Sequence, residues 1–332
     1  MAAASAQVAS QVVAAPATCT PAWPDGDEGA AVVVGRRPQH HPLASRRHHR
    51  RQTGRVSGPV SPADFEVHES RTTDVGGITV RRALPKRQRR TIGAWCFLDH
   101  MGPSEVTMAV GPHPHTGLHT VTWLLEGEAL HRDSLGTEQP IRPGQLNLMT
   151  AGRGVQLWVA QPDATRHGDP AFEHHGELPV AELDGVTATV LIGALAGAAS
   201  PARADTPLVG VELAVHGEAT VPLAAAFEHG IVALDGPIAV GDEVVRPGHL
   251  AFLGQERDEL PVAPVDGPAR ALLVGGEPFG PPPLMWWNFV GRSWDEIDEA
   301  ALEWNGGTTD RFGDPGSPLD RIAAPDRVGR RR

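Results

Sequence analysis

The sequence predicts an all-β protein built from two antiparallel β-barrels in tandem, with short helices near the C-terminus. Three observations lead there. From about residue 64 onward, short runs rich in β-branched and aromatic residues alternate with Gly and Pro turns, the pattern of strands closing into barrels. Ile141-Arg-Pro-Gly-Gln-Leu-Asn-Leu-Met149 recurs as Val245-Arg-Pro-Gly-His-Leu-Ala-Phe-Leu253, a turn feeding a strand repeated at a domain-sized interval. Trp294-Asp-Glu-Ile-Asp-Glu-Ala-Ala-Leu-Glu-Trp304 spaces its apolar residues by three and four behind an acidic start, which predicts a helix after the last strand.

In chain order, residues 1–60 read as a disordered extension. They are Ala-rich at first, then carry Arg36-Arg37, His40-His41 and Arg46-Arg-His-His-Arg-Arg51 with few apolar residues. Low hydrophobicity with clustered charge marks a solvated tail. The start lacks the basic and apolar regions of a secretory signal. Residues 61–177 form the first barrel domain. Its opening hairpin includes Asp74-Val-Gly-Gly-Ile-Thr-Val-Arg-Arg82, and the basic cluster Arg81-Arg82 with Lys86-Arg87-Gln-Arg-Arg90 reads as a solvated face. Residues 178–305 form the second barrel, rich in Val, Ala and Gly turns, and 306–332, rich in Gly, Pro, Asp and Arg, read as a flexible tail.

The chain of 332 residues has a net charge of −11 and only two cysteines, Cys19 and Cys96. An acidic balance argues against direct nucleic-acid binding. No apolar run approaches a membrane span. Two cysteines make no disulfide framework and suit a reducing cytoplasm, with Cys96 in Trp95-Cys-Phe-Leu98 read as a small buried hydrophobe. A monomer is expected.

The candidate chemistry lies in His113-Pro-His115, just ahead of Leu118–Glu126. Residues i and i+2 of an extended chain share a face, so the two imidazoles converge, and Pro114 stiffens them. Converging neutral imidazoles are ligands for iron, zinc, copper or nickel. On its own such a pair also reads as a solvated turn; the barrel context favours ligands. The second copy of the repeat has no such pair. His119 lies on the same face as His115 and reads as filler of the barrel mouth, and His131 and Asp133 are not assigned as ligands. Adjacent His174 and His175 point to opposite faces and read as a solvated loop.

These motifs together resemble the pirin family of bicupins. The resemblance rests on His113-Pro-His-x-Gly-x-x-Thr-Val-Thr-Trp-Leu-Leu-Glu-Gly127, His131-x-Asp-Ser-x-Gly136, Pro143-Gly-Gln-Leu-Asn-Leu-Met-Thr-Ala-Gly-Arg-Gly154, Gly275-Gly-Glu-Pro-Phe-Gly280 and Met285-Trp-Trp-Asn-Phe-Val-Gly-Arg-Ser293. It spans residues 64 to 305. It implies two cupin barrels of jelly-roll type and one mononuclear iron site in the first, held by two His of His-Pro-His and by a His and a Glu from a later His-x-Glu element. The first two ligands carry over to His113 and His115. The other two do not, because Gly152-Arg-Gly-Val155 runs directly into Gln156-Leu-Trp-Val159, so the resemblance implies an internal deletion after Val155. Two functions stay open on this reading. One is a quercetin 2,3-dioxygenase-type oxygenase acting on a small flavonoid-like substrate, impaired by loss of two ligands. The other is a non-enzymatic, metal-modulated, transcription-cofactor-like role with a regulatory protein as partner.

Overall fold

The computed structural model describes residues 9–14, 65–102, 109–147, 153–307 and 311–327. It contains two barrels, each a seven-stranded sheet facing a four-stranded one, and the two copies match strand for strand. In the first barrel the large sheet runs His174–His175, Leu146–Asn147, Leu118–Glu126, Arg153–Ala160, Trp95–Met101, Ile78–Leu84, Arg71–Val75. In the second it runs Glu66–Glu69, His249–Gly254, Glu228–Asp235, Ala269–Gly276, Leu208–Val215, Val186–Ile192, Val180–Leu183. All named pairings are antiparallel.

The repeated Arg-Pro-Gly turn holds one topological place in both copies. Arg142-Pro-Gly144 leads from Glu138–Ile141 in the small sheet to Leu146–Asn147 in the large one, and Arg246-Pro-Gly248 leads likewise from Glu243–Val245 to His249–Gly254. Gly144 and Gly248 adopt φ of 80° and 86°, the left-handed conformation that glycine takes without a Cβ penalty. The tandem-barrel expectation holds, with one helix, Trp294–Asn305, rather than several among the described residues. Ser293 caps it by accepting from the Glu296 amide.

Three pieces depart from the sequence expectation. The outermost strands of the large sheets are exchanged: Glu66–Glu69, ahead of the first barrel, pairs with His249–Gly254 of the second, while His174–His175, ahead of the second, pairs with Leu146–Asn147 of the first. Each exchange caps a sheet edge that would otherwise offer unpaired backbone groups. Within the expected N-terminal tail, Ala9–Ala14 forms a strand between Ala109–Pro114 and Ala129–Asp133; the remainder of residues 1–60 lies outside the described residues. Toward the C-terminus, 311–327 packs on the body instead of hanging loose. Phe312 is fully buried, the Trp304 indole donates to Ile322 O at 2.8 Å, and Asn305 makes a reciprocal pair of hydrogen bonds with the Ala324 backbone.

The interiors differ. The second barrel is filled by aliphatic side chains, including Val186, Val211, Leu213, Ile231, Ile238, Val245, Leu260 and Leu273. Among the described residues, the first barrel has two smaller apolar clusters, one of Ile78, Val80, Met101, Leu124, Ala129 and Ile141, and one of Cys96, Phe97, Leu118, Trp158 and Ala160 with Val290. A further cluster joins the two barrels through Trp95, Leu98, Leu157, Leu208, Phe252 and Leu272. No helix among the described residues is long and apolar enough to cross a membrane.

Candidate metal centre and its pocket

His113 is the penultimate residue of the strand Ala109–Pro114 and His115 directly follows the strand; both are buried. Their rings lie 4.9 Å apart between centroids, inclined by 70°, so the convergence expected from i, i+2 spacing is realised. His113 Nδ1–H donates to Gly111 O at 2.9 Å, which fixes the tautomer and leaves Nε2 as the lone-pair nitrogen. Among the described residues, neither ring nitrogen of His115 has a hydrogen-bond partner, an unusual state for a buried imidazole. Burial lowers the pKa of both rings, His115 the more strongly; His131 adds to the lowering at both, His113 adds to it at His115, and the Gly111 bond opposes it at His113. Both are therefore neutral, the form that binds metal.

The pair opens into a cavity of about 400 Å³ within the first barrel. One wall is Phe97 stacked on Trp158, centroids 4.0 Å apart and planes within 15°; His115 meets Trp158 edge-on at 5.6 Å. Arg82 grips Asp99 with two bonds of 2.7 and 2.6 Å, and its guanidinium sits 4.5 Å above the Phe97 ring. Burial raises the Asp99 pKa against the pull of Arg82. Trp287, Asn288 and Ile322 bring the C-terminal region to the same cavity. The site thus combines a flat aromatic wall, a fixed cation–carboxylate pair and two neutral imidazoles, a set that suits a planar, hydroxylated aromatic ligand.

Sequence reasoning located the imidazoles and missed Arg82, Phe97, Asp99 and Trp158. Arg82 in particular turns into the pocket instead of facing solvent with its basic cluster. The available signal was Asp99 inside the apolar run Trp95–Met101, whose residues are all buried, since a carboxylate there needs a partner.

His119, His131, His174 and His175 have structural partners. His131 Nε2–H donates to Asp133 at 3.1 Å, and its ring stacks on Phe172. Asp133 also accepts the amides of Leu135 and Thr137. Burial pushes the Asp133 carboxyl up, but these bonds outweigh it and hold it below the ordinary range. His119 does not fill the barrel mouth. It reaches across to Asp205 at 2.9 Å, where Thr165, Gln161 and Arg203 also donate. His174 and His175 form the exchanged edge strand, His174 bonded to Asn147 and His175 to Glu173. Cys96 is fully buried, and burial pushes its thiol up to about 12, which makes it inert.

An iron site of the family's four-ligand kind does not fit the described residues. His113 and His115 supply two donors, and no group of three or more His, Cys, Asp or Glu that could hold a metal occurs among the described residues. An open iron site ordinarily takes two His and a carboxylate. Asp99 lines the cavity but is committed to Arg82.

A bicupin with a histidine pair in one barrel is the class that fold and site define. Family comparison is specific: the sequence model described as Pirin matches residues 77–168, and that described as Pirin C-terminal cupin domain matches 208–312. A Pseudomonas aeruginosa protein, provisionally named a quercetin 2,3-dioxygenase, is 51% identical over 272 residues, covering 75% of this chain and 84% of the relative. A pirin-like protein of Caulobacter vibrioides is 35% identical over 73% of this chain and 93% of its own length. The crystal structure of a quercetin 2,3-dioxygenase from Acinetobacter baumannii superimposes with a TM-score of 0.76 at 42% identity, covering 81% of this chain and 97% of that one. The chain belongs to the pirin family.

Proposed function

We propose that this protein binds a planar polyphenol of the quercetin type in the first barrel and holds a divalent metal, iron in the first instance, weakly at His113 and His115. Quercetin 2,3-dioxygenase-type turnover is correspondingly impaired. The carrying observation is the cavity in which two neutral imidazoles, one with both nitrogens unpartnered among the described residues, face the Phe97–Trp158 stack and the Arg82–Asp99 pair. The names of the similar Pseudomonas and Acinetobacter proteins support the substrate class. Without a third donor among the described residues, the metal lacks an anionic ligand to offset its charge, so affinity and turnover fall together.

Within the pocket, this chain's residues have definable tasks. The aromatic stack takes the flat face of the ligand, Arg82 offers donors to a phenolate or carbonyl oxygen, and an imidazole not holding metal accepts a hydrogen bond from a phenolic hydroxyl. The metal, when bound, supplies the polarisation of substrate oxygens that oxygen chemistry needs.

Titration with Fe(II), quercetin binding followed by absorbance, and oxygen uptake test the proposal against the Acinetobacter protein run in parallel. The expected result is quercetin binding that Arg82→Ala and Trp158→Ala weaken, iron binding that His113→Ala abolishes, and oxygen uptake at least tenfold below the relative, roughly 1.4 kcal/mol in barrier. Uptake equal to the relative overturns the impairment. Absence of quercetin binding overturns the substrate class.

A further inference from the structure

The strand Ala9–Ala14 occupies a place that the second barrel fills in a different way. In the second barrel the small sheet runs Ala219–Pro222, Glu259–Pro264, Ile238–Val240, Glu243–Val245. In the first it runs Ala109–Pro114, Ala9–Ala14, Ala129–Asp133, Glu138–Ile141. The second strand of each list lies antiparallel to both neighbours. In the second barrel that strand comes from the chain between His249–Gly254 and Ala269–Gly276. The equivalent stretch of the first barrel, between Leu146–Asn147 and Arg153–Ala160, is only 148–152. A strand of about 5–6 residues with two connections needs more chain than that.

Without Ala9–Ala14, the histidine-bearing strand Ala109–Pro114 would have no strand partner among the described residues, since this is its one pairing. Its remaining backbone support is the bond from Ile322 N to Pro112 O at 2.9 Å, beside Gly111, where a Cβ would meet Asp320 O at 2.1 Å. The unpaired edge would carry free N–H and C=O groups inside a barrel. Register puts Ser10 opposite both His113 and Asp133, and Val12 opposite His131.

We propose that Ala9–Ala14 is an in-chain donor strand that closes the first barrel in place of a strand its own segment is too short to supply, and that it is the positioning element for the His113 strand. The slot between Ala109–Pro114 and Ala129–Asp133 is an acceptor for one extended segment, and the occupant is this chain's own N-terminus. The inference does not depend on metal or substrate.

Paired cysteines in the full chain test it, with Cys19→Ser so that only the buried Cys96 remains of the native thiols. Val13 stands opposite Leu130, and antiparallel partners lie at a Cα separation compatible with a disulfide. Val13→Cys with Leu130→Cys is expected to cross-link within one chain, migrating as a monomer. A cross-link between two chains overturns in-chain donation in favour of exchange between copies, and no cross-link overturns the pairing itself. In parallel, full-length Val12→Pro removes a ladder donor. Amide protection across 109–114 and 129–133 is expected to fall by about tenfold or more, with 219–222 and 238–240 unchanged. Unchanged protection of 109–114 overturns the proposal.

Discussion

The first and second barrels share a strand order and a repeated Arg-Pro-Gly turn, yet one is filled with aliphatic side chains and takes every strand of its small sheet from its own segment, while the other encloses a cavity and closes its small sheet with Ala9–Ala14. The second barrel's interior residues, Val211, Leu213, Ile231 and Leu273 among them, are fully buried. At the centre of the first stand His113, His115, Arg82 and Asp99 around a cavity. Burying aliphatic surface contributes about 25 cal/mol per Å², so the second barrel supplies stability that the first has exchanged for a site. The difference also explains why the barrels share a core: the hollow copy is braced against the filled one.

Trp95 carries that brace. It starts a strand of the first barrel, is 1% exposed, and its indole N–H is shared between Val209 O at 3.1 Å and Gly275 O at 3.0 Å of the second. Trp95→Ala removes the buried ring and leaves two carbonyls without their donor, at a cost of about 3–5 kcal/mol. If the first barrel depends on the second, calorimetry should resolve two transitions where the parent has one, with the 118–126 amides exchanging before those of 228–235. Equal loss of protection in both would mean that the barrels are equally self-sufficient.

Asp205 sharpens the comparison from the polar side. Burial alone would raise its pKa, but bonds from Arg203, His119 and Thr165 outweigh burial and hold the carboxyl well below the ordinary range. His119, Gln161 and Thr165 belong to the first barrel's segment and Asp205 to the second's. Asp205→Ala is expected to cost about 2–3 kcal/mol at neutral pH by stranding those donors. A depressed folded-state pKa stabilises above the unfolded value of about 3.9 and ceases to do so as pH falls through the folded one. The penalty of Asp205→Ala, read from urea midpoints, should therefore be full at pH 7 and shrink below about pH 4. A penalty independent of pH would assign it to packing.

Much of this was legible in the sequence where the information is local. The Arg-Pro-Gly repeat announced two copies because turn chemistry is carried by adjacent residues, and His113-Pro-His115 announced convergence because strand geometry alone aims i and i+2 together. The spacing in Trp294–Trp304 announced the helix. The exchanged strands Glu66–Glu69 and His174–His175, the Asp205 hub and the packed 311–327 segment were not legible, because each is chosen by a partner distant in sequence. Ala-Ser-Gln-Val-Val-Ala at 9–14 has two adjacent β-branched residues and no alternation; only the vacancy between two other strands makes it one.

The borrowed strand restores the first barrel's backbone without restoring its chemistry, since Ala9–Ala14 contains no His, Cys, Asp or Glu. That separates closure from ligation, and a single substitution can rejoin them. Ser10 stands opposite His113, whereas Gln11 stands opposite Arg132, and successive strand positions alternate between faces. Ser10→His places a third imidazole at the register position beside the pair, and affinity for Ni(II) should rise by about tenfold, roughly 1.4 kcal/mol. Calorimetric titration checks this with Gln11→His as the control, expected to match the parent, and with His113→Ala added to Ser10→His, expected to lose the gain. A gain from Gln11→His and none from Ser10→His would move the register by one residue. No gain from either would mean that the strand closes the barrel too far from the imidazoles to serve them.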